Sequence, residues 1–171
     1  MTEPRRERTY TWNDPREIAR AIVGREHREW MTMMKEGALP HAPFASTLAF
    51  EIEEIGDGRV VFSMPLAEWM CNPTGVVHGG VSATLLDSVL TLSVLTRLPR
   101  EKLCTTIDLN VHFVRPLFPS GARIRAEGSA LHVGTTVATA EARLLDERDR
   151  LIAHATTSLA IIDAVAMTTQ R

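Results

Sequence analysis

One long apolar helix is predicted in this chain, and a series of strands follows it. Residues 79–96, GGVSATLLDSVLTLSVLT, are apolar around most of a helical circumference, which is typical of a helix buried on nearly all sides. Four strands are predicted after it, over about residues 103–116, 121–132, 134–145 and 150–162. Because this helix is the only long apolar element that can cover the sheet, the pattern favours an α+β fold with one helix on a curved antiparallel sheet.

The strands themselves show alternation and short connections. In residues 103–116, one face is expected to carry the apolar side chains Ile107, Leu109, Val111 and Phe113. Short turns at Val133–Gly134 and at residues 146–150 separate the last three strands. Those three strands are therefore expected to form an antiparallel meander.

Two further patterns precede the long helix. Residues 13–37 read as one helix, with Asp14 as the N-cap and Pro15 at the first helical position. Residues 47–66, TLAFEIEEIGDGRVVFSMPL, read as two strands joined by a Gly-Asp-Gly turn. The chain is accordingly divided into an amino-terminal extension with a helix, a main domain and a tail, over residues 1–44, 45–163 and 164–171.

Composition argues against several classes of partner. A net charge of -2 does not favour a general nucleic-acid or anionic-membrane binder. The two cysteines, Cys71 and Cys104, lie in neither a CxxC motif nor a His-rich setting, so no disulfide framework and no metal site are predicted. No apolar run approaches the roughly 20 residues that span a bilayer, and the first residues do not resemble a secretory signal. We therefore expect a cytoplasmic protein without membrane contact.

An acidic residue interrupts the apolar helix. Asp87 stands at helical spacing from Thr84, Ser88 and Thr91, so these four side chains share one face. An isolated buried charge is unfavourable unless it is paired or functional. Asp87 is thus either a structural carboxylate, bonded to the neighbouring hydroxyls or facing solvent, or a catalytic group.

Two glycines open the same helix. The first N–H groups of a helix lack intrahelical partners and lie at the positive end of its dipole, so Gly79 and Gly80 form either a plain turn or an oxyanion site. Gly80 and Asp87 are separated by about 10 Å along one helix, whereas one reacting carbonyl needs both groups within about 3 Å. Either one group acts alone, or two copies of the chain exchange them in a two-fold dimer with two shared sites.

The segment NPTGVVHGGVSATLLD, residues 72–87, followed by TTIDLNVHFVRP, residues 105–116, resembles the signature of the hotdog-fold thioesterases, specifically the PaaI-like acyl-CoA thioesterases. The resemblance covers about residues 45–162. It implies a hotdog fold, in which the sheet wraps the long helix, and a homo-oligomer that is a dimer or a dimer of dimers, a homotetramer. It also implies hydrolysis of an acyl-CoA substrate to the free acid and CoA, with no metal or cofactor.

The resemblance also assigns roles to individual residues. Asp87 matches the catalytic carboxylate, which acts as a general base on water or as a nucleophile. The N–H of Gly79 or Gly80 would polarise the thioester carbonyl. Three further catalytic positions orient the thioester or contact the attacking water: Asn72, His78 and Thr106.

Contacts with the CoA moiety are implied at three positions: Arg115, Gly134 and Thr135. Arg115 suits a phosphate, although a surface or interface arginine is the alternative. Thr135 stands where many relatives have a basic residue.

Other functions remain open at this point. A Cys71–His78 pair could supply a nucleophile, but no orienting partner is evident. The main alternative function is a non-catalytic acyl-CoA or acyl-carrier binding protein on the same fold. A hotdog dehydratase is a third, although the acid that closely follows the histidine in that group is not seen here.

Overall fold

The structure is a computed structural model that describes residues 6–164. Its helices are α1 (Pro15–Ile22), α2 (His27–Lys35), α3 (Pro43–Leu48) and α4 (Gly79–Leu95), with one 3-10 turn at Glu68–Met70. Its strands are β1 (Glu51–Ile55), β2 (Arg59–Pro65), β3 (Lys102–Phe113), β4 (Arg123–Val133), β5 (Val137–Leu145) and β6 (Leu151–Asp163).

Within the described residues, six strands form one antiparallel sheet in the order β1-β2-β4-β5-β6-β3. The predicted α+β class is confirmed, and so is the meander, because β4, β5 and β6 are consecutive neighbours. The strand after the long helix, β3, crosses to the far side of the sheet and pairs only with β6. One edge of β3 is therefore left free in the part of the chain that the structure describes.

Helix α4 packs against the sheet along one face of its strands. Leu85, Leu86, Val89 and Leu90 are fully buried, as expected for a helix covered on most sides. The helix lies close to β4 at Gly128, where a Cβ atom would lie 2.6 Å from the carbonyl oxygen of Val89. The missing side chain of Gly128 thus sets the distance between helix and sheet.

We expect Gly128→Ala to lower the free energy of unfolding by about 1–3 kcal/mol, because helix backbone must move to admit the methyl group. Chemical denaturation of the variant and the parent measures this. Gly56→Ala is a matched control, since a Cβ there meets its nearest atom at an ordinary 3.5 Å. Equal losses in the two variants would contradict the steric explanation.

The prediction of one continuous helix over residues 13–37 was wrong. Asp14 does cap α1, accepting from the N–H of Arg16 at 2.8 Å. However, the backbone leaves the helix at Val23, and Gly24 takes a left-handed φ of 76°, so α2 starts a new direction. A further helix, α3, precedes β1, and its last two residues fall at the start of the segment predicted to be a strand.

A side chain of α2 is hydrogen-bonded to the first residue of β3, the strand with the free edge. The Nε2–H of His27 donates to the carbonyl oxygen of Lys102 at 2.8 Å, and its Nδ1 accepts from the Trp30 indole at 3.3 Å. His27 is buried, so both ring nitrogens have the partners that burial requires. Through this contact, α2 covers the first residue of β3.

Candidate active site

The acid of the apolar helix has a hydroxyl partner from the sheet. The Thr106 Oγ1–H donates to Asp87 Oδ1 at 2.9 Å, which joins the middle of α4 to β3. Thr91 Oγ1 lies 3.5 Å from Thr106 Oγ1. A threonine hydroxyl has one proton, so Thr91 donates to Thr106 and Thr106 donates to Asp87. This directional chain fixes one carboxylate oxygen of Asp87.

A β-bulge places Thr106 at this site. The pairing of β3 with β6 shifts between Thr106 and Asp108, which leaves Ile107 as an extra residue, 60% exposed. Strict alternation would turn Thr106 away from the side that carries Leu109, but the bulge lets both face the helix. The predicted apolar face was therefore wrong at Ile107.

The amino terminus of α4 presents one free donor. His78 is the N-cap, and its Nδ1 accepts from the N–H of Gly80 at 2.9 Å. Nδ1 therefore acts as an acceptor here, and Nε2 is the ring nitrogen that can donate. The N–H of Gly79 has no partner among the described residues, which leaves it available to an oxyanion.

Asn72 lies in a loop and not in a helix or a strand. Its Oδ1 accepts from the N–H and the Oγ1–H of Thr74, at 2.9 and 2.7 Å, and from the N–H of Val76 at 3.3 Å. These local bonds fold the loop around the side chain, as in an Asx turn. Within residues 6–164 the amide Nδ2 has no partner, so its hydrogens are available to a ligand.

Asn72, Gly79 and Arg115 line one pocket of about 310 Å³. The ring of Phe113 forms part of the same wall, because a Cβ on Gly79 would lie 3.2 Å from its Cζ. Phe113 is 58% exposed, whereas the alternation pattern had assigned it to the core-facing side. Sequence reasoning gave Phe113 no role in the site; its position two residues before Arg115 in the segment TTIDLNVHFVRP is the signal that could have indicated one.

The remaining predicted residues are not gathered in that pocket. Asp87, further along α4, and its partner Thr106, on β3, both lie outside the pocket lining. Gly134 and Thr135 lie in the β4–β5 turn, where the N–H of Gly134 donates to the Val137 carbonyl at 3.0 Å. One copy of the chain therefore does not bring the acid or the β4–β5 turn into the lining of the pocket that contains Gly79.

The cysteines have structural surroundings. Cys71 Sγ faces the Gly75 carbonyl oxygen at 3.5 Å, while His78 Nδ1 is occupied by Gly80, so the two do not form an activated pair. Burial raises the pKa of the Cys104 thiol to about 12, so this thiol stays protonated at neutral pH. Neither cysteine has the surroundings of a nucleophile.

The described residues contain no group of three or more His, Cys, Asp or Glu side chains arranged to hold a metal ion. The same residues include no helix that is both long and apolar enough to cross a membrane.

Comparison with known proteins shows which family this chain belongs to. The family model described as the thioesterase superfamily matches residues 74–153. A Halobacterium salinarum protein that carries an esterase name is 34% identical over 116 residues, which cover 65% of this chain and 75% of that protein. This chain belongs to the thioesterase superfamily.

Other relatives of this superfamily member have more specific names. An Escherichia coli 1,4-dihydroxy-2-naphthoyl-CoA hydrolase is 24% identical over 132 residues, 77% of this chain and 96% of that protein. The solved structure of the Escherichia coli PaaI protein, from the phenylacetic acid degradation operon, superposes with a TM-score of 0.69. It is 18% identical and covers 80% of this chain and 95% of its own, which confirms the hotdog fold. Membership of the superfamily supports a thioester hydrolase.

Proposed function

We propose that this protein hydrolyses an acyl-CoA thioester to the free acid and CoA. The observation that carries the proposal is the pairing of Asp87 with Thr106 inside an otherwise apolar helix. A relative named as a CoA-thioester hydrolase supports CoA as the thiol portion of the substrate. The chemistry needs a base or nucleophile and an oxyanion donor, and α4 offers one of each.

The two groups cannot act together within one chain. Asp87 lies eight residues beyond Gly79, which is about 12 Å along a helix. We propose that two copies of the chain pair, so that Asp87 of one works with Gly79 of the other, as a dimer or a dimer of dimers. The free edge of β3 and the exposed side chains of Ile107 and Phe113 support such pairing.

The hydrolysis has two balanced routes. In the first, Asp87 takes a proton from water, and the resulting hydroxide attacks the thioester carbonyl. In the second, Asp87 attacks directly, expels the CoA thiolate and forms a mixed anhydride that water then hydrolyses. In both, the oxygen charge that develops in the transition state is stabilised by the Gly79 N–H, and the leaving thiolate takes up a proton.

The neighbouring residues hold the substrate. Asn72 has a free amide that can donate to the thioester or the water, and His78 keeps the helix start in place by capping Gly80. Arg115 is proposed to bind a CoA phosphate, since a guanidinium suits that geometry and the residue shares a pocket with Asn72. Gly134 and Thr135 are proposed as further CoA contacts.

The direct test is thiol release from a panel of short, long and aryl acyl-CoAs by the wild-type protein. We expect release of one free thiol for each free acid formed. Ligand binding without turnover would favour the acyl-CoA or acyl-carrier binding protein instead. A changed acyl chain still attached to CoA would indicate a lyase, and either outcome would contradict the hydrolase.

A further inference from the structure

Residues 6–10 of the amino-terminal extension lie against the turn at Glu68–Met70, which precedes the loop that carries Asn72. We call residues 6–10 the amino-terminal arm. Arg6 Nε pairs with Glu68 Oε2 at 2.8 Å, and the Arg8 Nη2–H donates to the carbonyl oxygen of Thr47 in α3. The guanidinium of Arg8 also lies over the ring of Trp69, 3.6 Å from its centroid. The arm therefore joins α3 to the turn at Glu68–Met70.

The ring contacts dominate the surroundings of Arg8. Its guanidinium carbon is 4.6 Å from the centroid of the Tyr10 ring, so two aromatic rings hold the cation. A planar guanidinium stacks well on such a ring face. Its Nη1 is buried and has no partner among the residues described. Apart from the bond to Thr47, the position of Arg8 is thus set by the faces of Tyr10 and Trp69.

Trp69 is continuous with the loop that carries the proposed site residues. The next residue, Met70, is buried, and its carbonyl oxygen accepts from the N–H of His78 at 2.9 Å. Cys71 and Val77 form a β-bridge across the loop, and the N–H of Asn72 donates to the Val76 carbonyl at 2.8 Å. These bonds tie residues 70–78 into one hydrogen-bonded loop, and Trp69 lies immediately before its first residue.

Trp69 itself is 42% exposed, so core packing alone does not fix it. We propose that Arg8 is a positioning residue, which clamps Trp69 and thereby holds the loop over residues 70–78. In this role Arg8 never touches the substrate; it sets the places of Asn72 and His78. The inference rests on the proposed hydrolysis for its functional part and on the loop's bonds alone for its structural part.

Two measurements test the clamp in the full-length protein. Hydrogen exchange of the amides in residues 70–78 is expected to speed up in Arg8→Ala, because the base of the loop is released. Thiol release is expected to show a kcat lowered roughly tenfold with KM little changed, since positioning is lost rather than binding. Arg8→Lys keeps a cation over the ring and should restore part of both properties.

Matched variants separate the clamp from general destabilisation. Arg25→Ala removes an exposed arginine of the same extension that pairs with Glu29 and not with the turn, so its loop exchange should equal that of the parent. Trp69→Leu should reproduce Arg8→Ala, whereas Trp69→Phe keeps a ring and should not. If Arg8→Ala fails to fold, the two Trp69 variants carry the test.

The outcomes distinguish this inference from the proposed function. No thiol release by the wild-type protein would end the hydrolase proposal and with it the functional part of the inference, while the exchange comparison would still decide the clamp. The clamp would be overturned if the amides of residues 70–78 exchanged at the wild-type rate in both Arg8→Ala and Trp69→Leu, even if the enzyme is active. Faster exchange with unchanged kcat would overturn the positioning role.

Discussion

Replacing Asp87 by asparagine is expected to lower kcat about a thousandfold, the scale on which a positioned general base contributes. Asparagine keeps the size of the side chain and an oxygen that can accept from Thr106 Oγ1, so the bond between α4 and β3 is retained. The loss is therefore chemical rather than structural. Thiol release measures it, and an unchanged circular dichroism spectrum and melting temperature are the control.

Isotope labelling in wild type then tests the nucleophilic role of Asp87. In a single turnover in ¹⁸O-water, label in the Asp87 carboxylate shows that Asp87 attacked and that water hydrolysed the anhydride at the Asp87 carboxyl carbon. Label in the free acid alone is the result expected from activated water, and an anhydride hydrolysed at the acyl carbon gives the same result. Full activity in the asparagine variant would exclude both routes.

The second large effect is expected from removing one backbone N–H. Gly79 is the first residue of α4, a position where proline is well tolerated, and His78 before it has an extended ψ of 134° that proline allows. Gly79→Pro should lower kcat by about a hundredfold or more, the usual effect of losing an oxyanion donor. Gly79→Ala is the matched control, because it brings the same Cβ against Phe113 but keeps the N–H. Equal activity in the two variants would show that this N–H has no catalytic part.

Mixing the two inactive proteins tests whether the site is shared. A hetero-dimer of Asp87→Asn and Gly79→Pro chains has one site with both groups intact and one with neither. Random re-association should therefore recover roughly a quarter of the wild-type rate. A site contained within one chain would give no recovery at all.

The sequence predicted those parts of the fold that depend on repeating patterns. The apolar circumference of residues 79–96 identified α4, and short turns identified the β4–β5–β6 meander. The break at Val23 and Gly24 was missed because a single glycine inside a helical pattern is usually tolerated, whereas here Val23 has a non-helical ψ and Gly24 a left-handed φ.

Some residues of the candidate site could be predicted from the sequence pattern and others could not. Asp87 and the helix start were found because a charge in an apolar helix and paired glycines both need explanation. The inward orientation of Thr106 depends on a bulge, which inserts one residue without changing the composition of the strand. Resemblance suggested this residue, whereas alternation alone would have turned it outward. The contact of Arg8 with Trp69 joins residues that are 61 positions apart in the sequence, so no local sequence pattern predicts it.

The bond from His27 to Lys102 has a consequence for assembly. A free strand edge offers a template on which further strands can add, and proteins limit this by covering or interrupting the edge. Here α2 occupies the first carbonyl of β3, and beyond its last residue Pro116 has no N–H to donate. Strand addition is therefore confined to the stretch between these two stops. An edge bounded at both ends limits the length of a partner strand and the registers in which it can pair.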